Sequence, residues 1–336
     1  MARGDRMGEN YDDYLRDDNL HINWYPGHMK KTRDLVRNNL KLVDVVVELF
    51  DSRIPFSSRN PDIDNLAGNK PRVVILNKCD LSDRAKLDIW IKYYKERGIK
   101  AIPVDTLKGV GLNKLVDECR NAVKDKMDAL KDKGRKERPI RIMIVGIPNV
   151  GKSSIINKLT GRKSTVTGDR PGVTKGKHWV RLKGNLELLD TPGILWPKFE
   201  DQDVALNFAF CRAIKDEILD VETLALRLIA KLMEIEPEKL KARYKLDELG
   251  DRDIETMDMI GRKRGFIMGN KELDYTRIAT TVLNEFRDGK IGKITLEVPE
   301  DINNSSSTFI SLGVSKDILP ILPSLNSLRT VVAILV

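Results

Sequence analysis

The sequence predicts an α/β protein: residues 22–200 form a mainly parallel, doubly wound sheet and residues 201–300 a small all-α domain, with a polar leader at 1–21 and an irregular tail at 301–336. Three observations predict this. Short β-branched apolar runs alternate with amphipathic stretches, as in sheets covered by helices on both faces. One of those runs feeds directly into a glycine-rich segment that opens a helix. After Phe199 the apolar residues fall at helical spacing.

The elements follow in order. A basic amphipathic pattern running to Lys41 predicts the first helix, and Val43 to Phe50, β-branched and mostly apolar, predicts a buried strand. Arg72 to Leu76 is a second such strand. A helix over 84–97 is stopped by Gly98, and Ala101 to Val104 makes a third strand. The pattern over 112–132 is helical and runs into a charged linker at 131–139. Ile140 to Val145 is a strand, Ser153 to Leu159 its helix, and Leu186 to Asp190 a further strand. In the all-α region Leu224, Leu228, Ile229 and Leu232, then Ile278, Val282 and Phe286, recur on helical faces. The tail at 301–336 is Asn/Ser-rich and then apolar with few charges, and carries no functional assignment.

Composition narrows the function classes. With 41% hydrophobic and 32% charged residues the chain reads as soluble and globular, and no run of about 18 apolar residues predicts a membrane span. The leader has no apolar segment of the kind a secretory signal needs. The three cysteines, Cys79, Cys119 and Cys211, have no metal-ligand spacing, which points to a reduced, cytoplasmic setting. A formal charge of +9 favours a polyanionic partner, with RNA the natural candidate, because clustered Lys and Arg displace counterions from phosphates. Nothing demands more than a monomer.

Three motifs carry chemistry. Asn77-Lys78-Cys79-Asp80 closes the second strand run. The Asp80 carboxylate suits guanine, whose N1–H and exocyclic amine donate two hydrogen bonds that adenine cannot match. Asp105 and Thr106, at the end of the next strand, are expected beside the base. In Gly146-Ile147-Pro148-Asn149-Val150-Gly151-Lys152-Ser153, backbone N–H groups at a helix start suit phosphates. Asn149, Val150, Gly151, Lys152, Ser153 and Ser154 are the expected nucleotide contacts there, with Lys152 on the β and γ phosphates and Ser153 on Mg²⁺. In Asp190-Thr191-Pro192-Gly193, Asp190 would hold Mg²⁺ through water and the Gly193 N–H would meet the γ-phosphate, while Thr174 would complete the metal shell. The base motif precedes the phosphate loop, the reverse of the ordinary order. The fold expected is therefore a circularly permuted phosphate-loop (P-loop) GTPase domain, binding GTP and GDP.

Hydrolysis raises a difficulty. Many GTPases place a glutamine after the switch glycine to orient water, and here Ile194 stands in that place. The candidates to replace it are His28, beside Gly27, and a monovalent cation near Asn149. For RNA, the basic residues expected to make contact are Arg262, Lys263, Arg264, Lys271, Arg277, Lys290 and Lys293, with Lys30, Lys31 and Arg33 near the nucleotide.

These motifs, with Trp24-Tyr25-Pro26-Gly27-His28-Met29, Asp51-Ser52-Arg53-Ile54-Pro55, Ser58-Arg59-Asn60-Pro61, Gly168-Asp169-Arg170-Pro171-Gly172 and Ile194-Leu195-Trp196-Pro197, resemble the circularly permuted GTPases, and among them a bacterial ribosome-biogenesis group. The resemblance runs from about residue 22 to residue 300. It implies that a hydrophobic residue replaces the glutamine, that His28 acts in hydrolysis, and that Asn149 supports K⁺ activation. It further implies a helical RNA-binding domain and a role late in assembly of the large (50S) ribosomal subunit, with the particle stimulating hydrolysis. The leader and the tail have no counterpart in that resemblance. Two alternatives stand beside this: a GTP-gated RNA-binding module with little turnover, and a GTPase acting on another structured RNA.

Overall fold

The computed structural model describes residues 29–160, 179–189, 201–269 and 271–300, and those up to Pro299 belong to one compact unit. Helix α1 (Met29–Leu40) leads to strand β1 (Val45–Asp51), whose seven residues are all buried. Asn60 caps α2 (Pro61–Ala67) by accepting from the Asp62 N–H, with Pro61 in the first turn where its missing N–H costs nothing. Strand β2 (Arg72–Asn77) follows, then α3 (Arg84–Glu96), capped by Asp83 and burying Leu87, Trp90 and Tyr94 on one stripe. Strand β3 (Lys100–Val104) completes this half.

The single helix expected over 112–132 is two, α4 (Leu112–Asn121) and α5 (Lys124–Asp132). At the break Val123 has φ −124° and a buried side chain, so turning it into the core interrupts the helix. Asp44 staples the linker that follows: it accepts from Lys126 Nζ at 2.9 Å, from Arg138 Nη1 at 2.7 Å and from the Arg141 N–H at 3.0 Å. Strand β4 (Ile140–Gly146) then leads into α6 (Lys152–Thr160). Strands β5 (Trp179–Leu182) and β6 (Leu186–Leu189) form a hairpin, of which only β6 was legible in advance.

Sheet order is β3-β2-β1-β4-β6-β5, parallel except for the β5–β6 pair. One face is covered by α1 and α2 through Val36, Leu40, Ile63 and Ala67, packed on Val46, Met143 and Val145. The opposite face, bearing Val45, Val47 and Leu49, shares one continuous apolar cluster with α4 and with the helices after residue 200.

Those later helices are α7 (Gln202–Phe210), α8 (Val221–Ile235), α9 (Pro237–Tyr244), α10 (Asp253–Arg264) and α11 (Tyr275–Arg287). Aspartate caps start three of them: Asp201, Asp220 and Asp274 each accept from N–H groups of the first turn. The seven apolar residues singled out by spacing in α8 and α11 are buried against one another and against Met257 and Ile260 of α10. The closing segment turns back toward the sheet: the Ile294 N–H donates to Leu81 O at 2.9 Å, and the Leu296 N–H to Arg53 O at 2.8 Å.

Candidate functional site

Parallel strands put their carboxyl ends on one edge, and that edge gathers the motifs. Register pairs Asp51 with Asn77, Asn77 with Val104, and Leu49 with Gly146, so the ends of β1, β2, β3 and β4 lie side by side. In open α/β sheets ligands bind outside such ends, where strand order reverses. Residues far apart in the sequence thereby meet.

Asn77 joins them. Its Nδ2 donates to Val150 O of the phosphate loop at 2.7 Å, and its Oδ1 accepts from Thr106 Oγ1 at 2.6 Å. Its carbonyl accepts from the Ser52 N–H at 2.9 Å. One buried amide thus connects the base motif, the Asp105-Thr106 pair and the phosphate loop. Asp105, also buried, accepts from the Lys108 N–H at 3.0 Å and shapes the turn beyond β3. Cys79 and Asp80 are half-buried on the same loop, and the Cys79 N–H donates to Val104 O at 3.2 Å. Burial, with the Asp80 and Asp105 carboxylates nearby, raises the Cys79 thiol, so it stays protonated.

The phosphate loop leaves β4 at Gly146, where an added Cβ would stand 2.6 Å from Leu49 O. Val150 is buried, while Asn149 is exposed and donates from Nδ2 to Arg212 O, just past α7, at 2.6 Å. Lys152 and Ser153 are half-buried and Ser154 exposed in the first turn of α6, whose N-terminus carries the positive end of the helix dipole. Of six non-glycine residues with positive φ among the described residues, Lys78 at 58°, Asn149 at 56° and Arg212 at 61° border this edge. Left-handed backbone of this kind concentrates at functional loops.

A pair not assigned a role from sequence completes the site. The buried Asp51 carboxylate takes Arg53 Nε at 2.9 Å and Nη2 at 2.8 Å, and also takes Lys78 Nζ at 2.9 Å. Burial alone would raise this carboxyl; the Arg53 and Lys78 cations outweigh it and hold it well below the usual carboxylate range. The visible signal was an aspartate closing an apolar run with an arginine two residues on.

His28, Thr174, Asp190 and Gly193 lie outside the described residues. For Mg²⁺, the Ser153 hydroxyl at the helix start is a hard oxygen donor of the kind that ion prefers. No cluster of three or more His, Cys, Asp and Glu that could hold a metal occurs among the described residues. No helix among them is long and apolar enough to cross a membrane. Arg262, Lys263, Arg264, Lys271, Arg277, Lys290 and Lys293 are exposed. Within that set Arg264 pairs with Glu285 at 3.3 Å and lies over the Tyr244 ring, Arg277 lies over the Phe266 ring, and Lys290 pairs with Asp288 at 2.9 Å.

Comparison with known proteins accords with this geometry. The family described as 50S ribosome-binding GTPase matches residues 141–255. Ribosome biogenesis GTPase A of Bacillus cereus is 48% identical over 280 residues, covering 83% of this chain and 95% of that protein. The chain belongs to the ribosome biogenesis GTPase A family. The Thermotoga maritima member is 31% identical over 281 residues, covering 84% of this chain and 96% of its own. The GDP-bound structure of TM YlqF matches with a TM-score of 0.57 at 26% identity, over 80% of this chain and 100% of that one. GNP-bound YlqF from T. maritima matches at 0.55 and 28%, over 80% and 99%. As a member of this GTPase A family the chain binds GTP and hydrolyses it to GDP and phosphate.

Proposed function

We propose that this GTPase acts in late assembly of the large (50S) ribosomal subunit and that the ribosomal particle stimulates its hydrolysis. The 48% identity to Ribosome biogenesis GTPase A, sustained over 83% of the chain, carries this reading. A formal charge of +9 and the exposed cations of α10 and its surroundings support an RNA partner.

In this reading Asp80 reads guanine, Lys78 stands with it among the nucleotide contacts, and the phosphate-loop N–H groups with Lys152 bind the phosphates. Ser153, with Thr174 and Asp190, would hold Mg²⁺, whose positive charge would offset that of the phosphates. Gly193 would meet the γ-phosphate. His28 is the group assigned to the attacking water, since Ile194 cannot hydrogen-bond to it. Asn149 would help hold K⁺ at the phosphates. The protein would act as a cytoplasmic monomer.

The test is the GTPase rate with and without large subunits, in K⁺ and in Na⁺, for the native protein and His28→Ala. Strong stimulation by the particle, lost in His28→Ala, supports the proposal. Because Ile194 replaces the water-orienting glutamine, a GTP-gated binding module is the competing outcome, and a rate no particle stimulates would favour it.

A further inference from the structure

Arg53 is almost wholly enclosed, at 2% exposure, which is costly for a guanidinium unless every direction is satisfied. Its fork meets both oxygens of Asp51, Nε to Oδ1 at 2.9 Å and Nη2 to Oδ2 at 2.8 Å. The remaining arm reaches a residue far along the chain: Nη1 donates to Arg287 O, the last residue of α11, at 3.4 Å, and the guanidinium lies 5.3 Å from the Phe286 ring centre. Arg287 in turn grips the end of α7, donating to Phe210 O at 3.0 Å and Ala209 O at 2.9 Å and pairing with Asp216 at 2.7 Å. The helical segment therefore seats Arg53 from behind.

What Arg53 faces is the base motif. Asp51 Oδ2 accepts from Arg53 Nη2 and from Lys78 Nζ, the latter at 2.9 Å, so one carboxylate oxygen bridges the enclosed arginine and the lysine of the guanine-reading loop. A long lysine side chain loses rotamer freedom when it is held in one pose, and an anchor that holds it beforehand lowers that loss on binding. A carboxylate that could swing would be a poor anchor. Arg53 prevents the swing, because two parallel charge-assisted bonds fix the carboxylate plane. If Arg53 only glued the helices to the sheet, an apolar side chain of similar volume would serve as well, since buried ion pairs rarely add net stability.

We propose that Arg53 is a positioning residue of the nucleotide site: through Asp51 it holds the Lys78 side chain in one pose at the guanine-reading loop, and through Arg287 and Phe286 it makes the helical segment the support of that pose, an inference that rests on Asn77–Asp80 being the guanine-reading loop. Its consequence is that the helices after residue 200 contribute to guanine-nucleotide affinity without touching the nucleotide.

A double-mutant cycle on the full chain tests it, with GDP affinity measured by calorimetry and urea melts in parallel. Lys78→Ala and Arg53→Gln should each weaken GDP about tenfold, the loss of one charge-assisted hydrogen bond, and the double variant should bind no worse than Lys78→Ala alone. Arg53→Lys, which keeps the charge but not the fork, should retain most of the loss. Native GDP affinity in folded Arg53→Gln, or losses that add to about a hundredfold in the double variant, would overturn the proposal. If Lys78→Ala itself binds GDP normally, the guanine-loop reading fails, and the proposal with it. Should Arg53→Gln not fold, the same cycle is run with Arg53→Lys, where a non-additive loss supports the role and an unchanged GDP affinity refutes it.

Discussion

Gly151→Ala is the sharpest probe of how the two nucleotide motifs are joined. Gly151 has φ +100°, and a Cβ there would stand 2.4 Å from Asn77 Nδ2. Alanine at such a φ costs about 1–2 kcal/mol in backbone strain. The clash adds to this. Asn77 is buried and held at both ends, to Val150 O at 2.7 Å and to Thr106 Oγ1 at 2.6 Å, so moving it away breaks a bond and leaves a buried carbonyl unsatisfied. That loss is worth about 1–3 kcal/mol, for a total of roughly 2–5 kcal/mol. The control is Gly98→Ala, at φ +70° with nothing within 4 Å of its Cβ, which should lose only the strain contribution. Urea melts give the stabilities, and GDP titrations should show at least about a tenfold loss for Gly151→Ala, since one Asn77 bond here amounts to about 1.4 kcal/mol, and none for Gly98→Ala. Equal stabilities for the two variants, with native GDP affinity in both, would refute the role given to Asn77.

Two other predictions concern the helical segment. Glu297 accepts from the Phe56 N–H at 2.8 Å, the Ser57 N–H at 3.1 Å and Asn207 Nδ2 at 2.9 Å, yet burial outweighs these donors and pushes its carboxyl up from 4.5 to about 7. A carboxyl raised on folding contributes stability that is complete below pH 4.5 and lost as pH rises through about 7. Urea melts should therefore show stability falling across that window by up to about 1.4 kcal/mol per pH unit, with Glu297→Gln lacking the slope, and parallel pH profiles would contradict it. Neutralising Arg262 and Lys263 together should weaken binding to large subunits and reduce the log–log salt slope by about 2, whereas an unchanged slope would remove them from the interface.

Much of the sheet was legible because buried parallel strands are written locally, as in the run from Val43 to Phe50 that became Val45–Asp51. The phosphate loop and the base motif were legible for a related reason: each is a short string whose backbone chemistry depends on its own residues. What escaped was decided at a distance. Val123 breaks a helix because the core lies on its side of the chain, and Trp179–Leu182 is a strand because Leu186–Leu189 folds back upon it. Asp51 and Arg53 stood in the sequence only as part of the Asp51-to-Pro55 string that carries the family resemblance. Their role depends on Lys78 and on Arg287, 234 residues beyond Arg53 in the chain.

The central claim, that the loop at residues 77–80 and the loop at residues 146–153 hold opposite ends of one guanine nucleotide, is tested most directly by calorimetry with GDP and xanthosine diphosphate. Xanthine carries a carbonyl where guanine carries its exocyclic amine, so Asp80→Asn, which offers an amide donor, should prefer the xanthosine nucleotide by at least about tenfold. Adding Lys152→Ala to that variant should then abolish xanthosine diphosphate binding. Unchanged preference for GDP in Asp80→Asn, or xanthosine diphosphate binding that survives the loss of Lys152, would mean that the two loops serve separate sites.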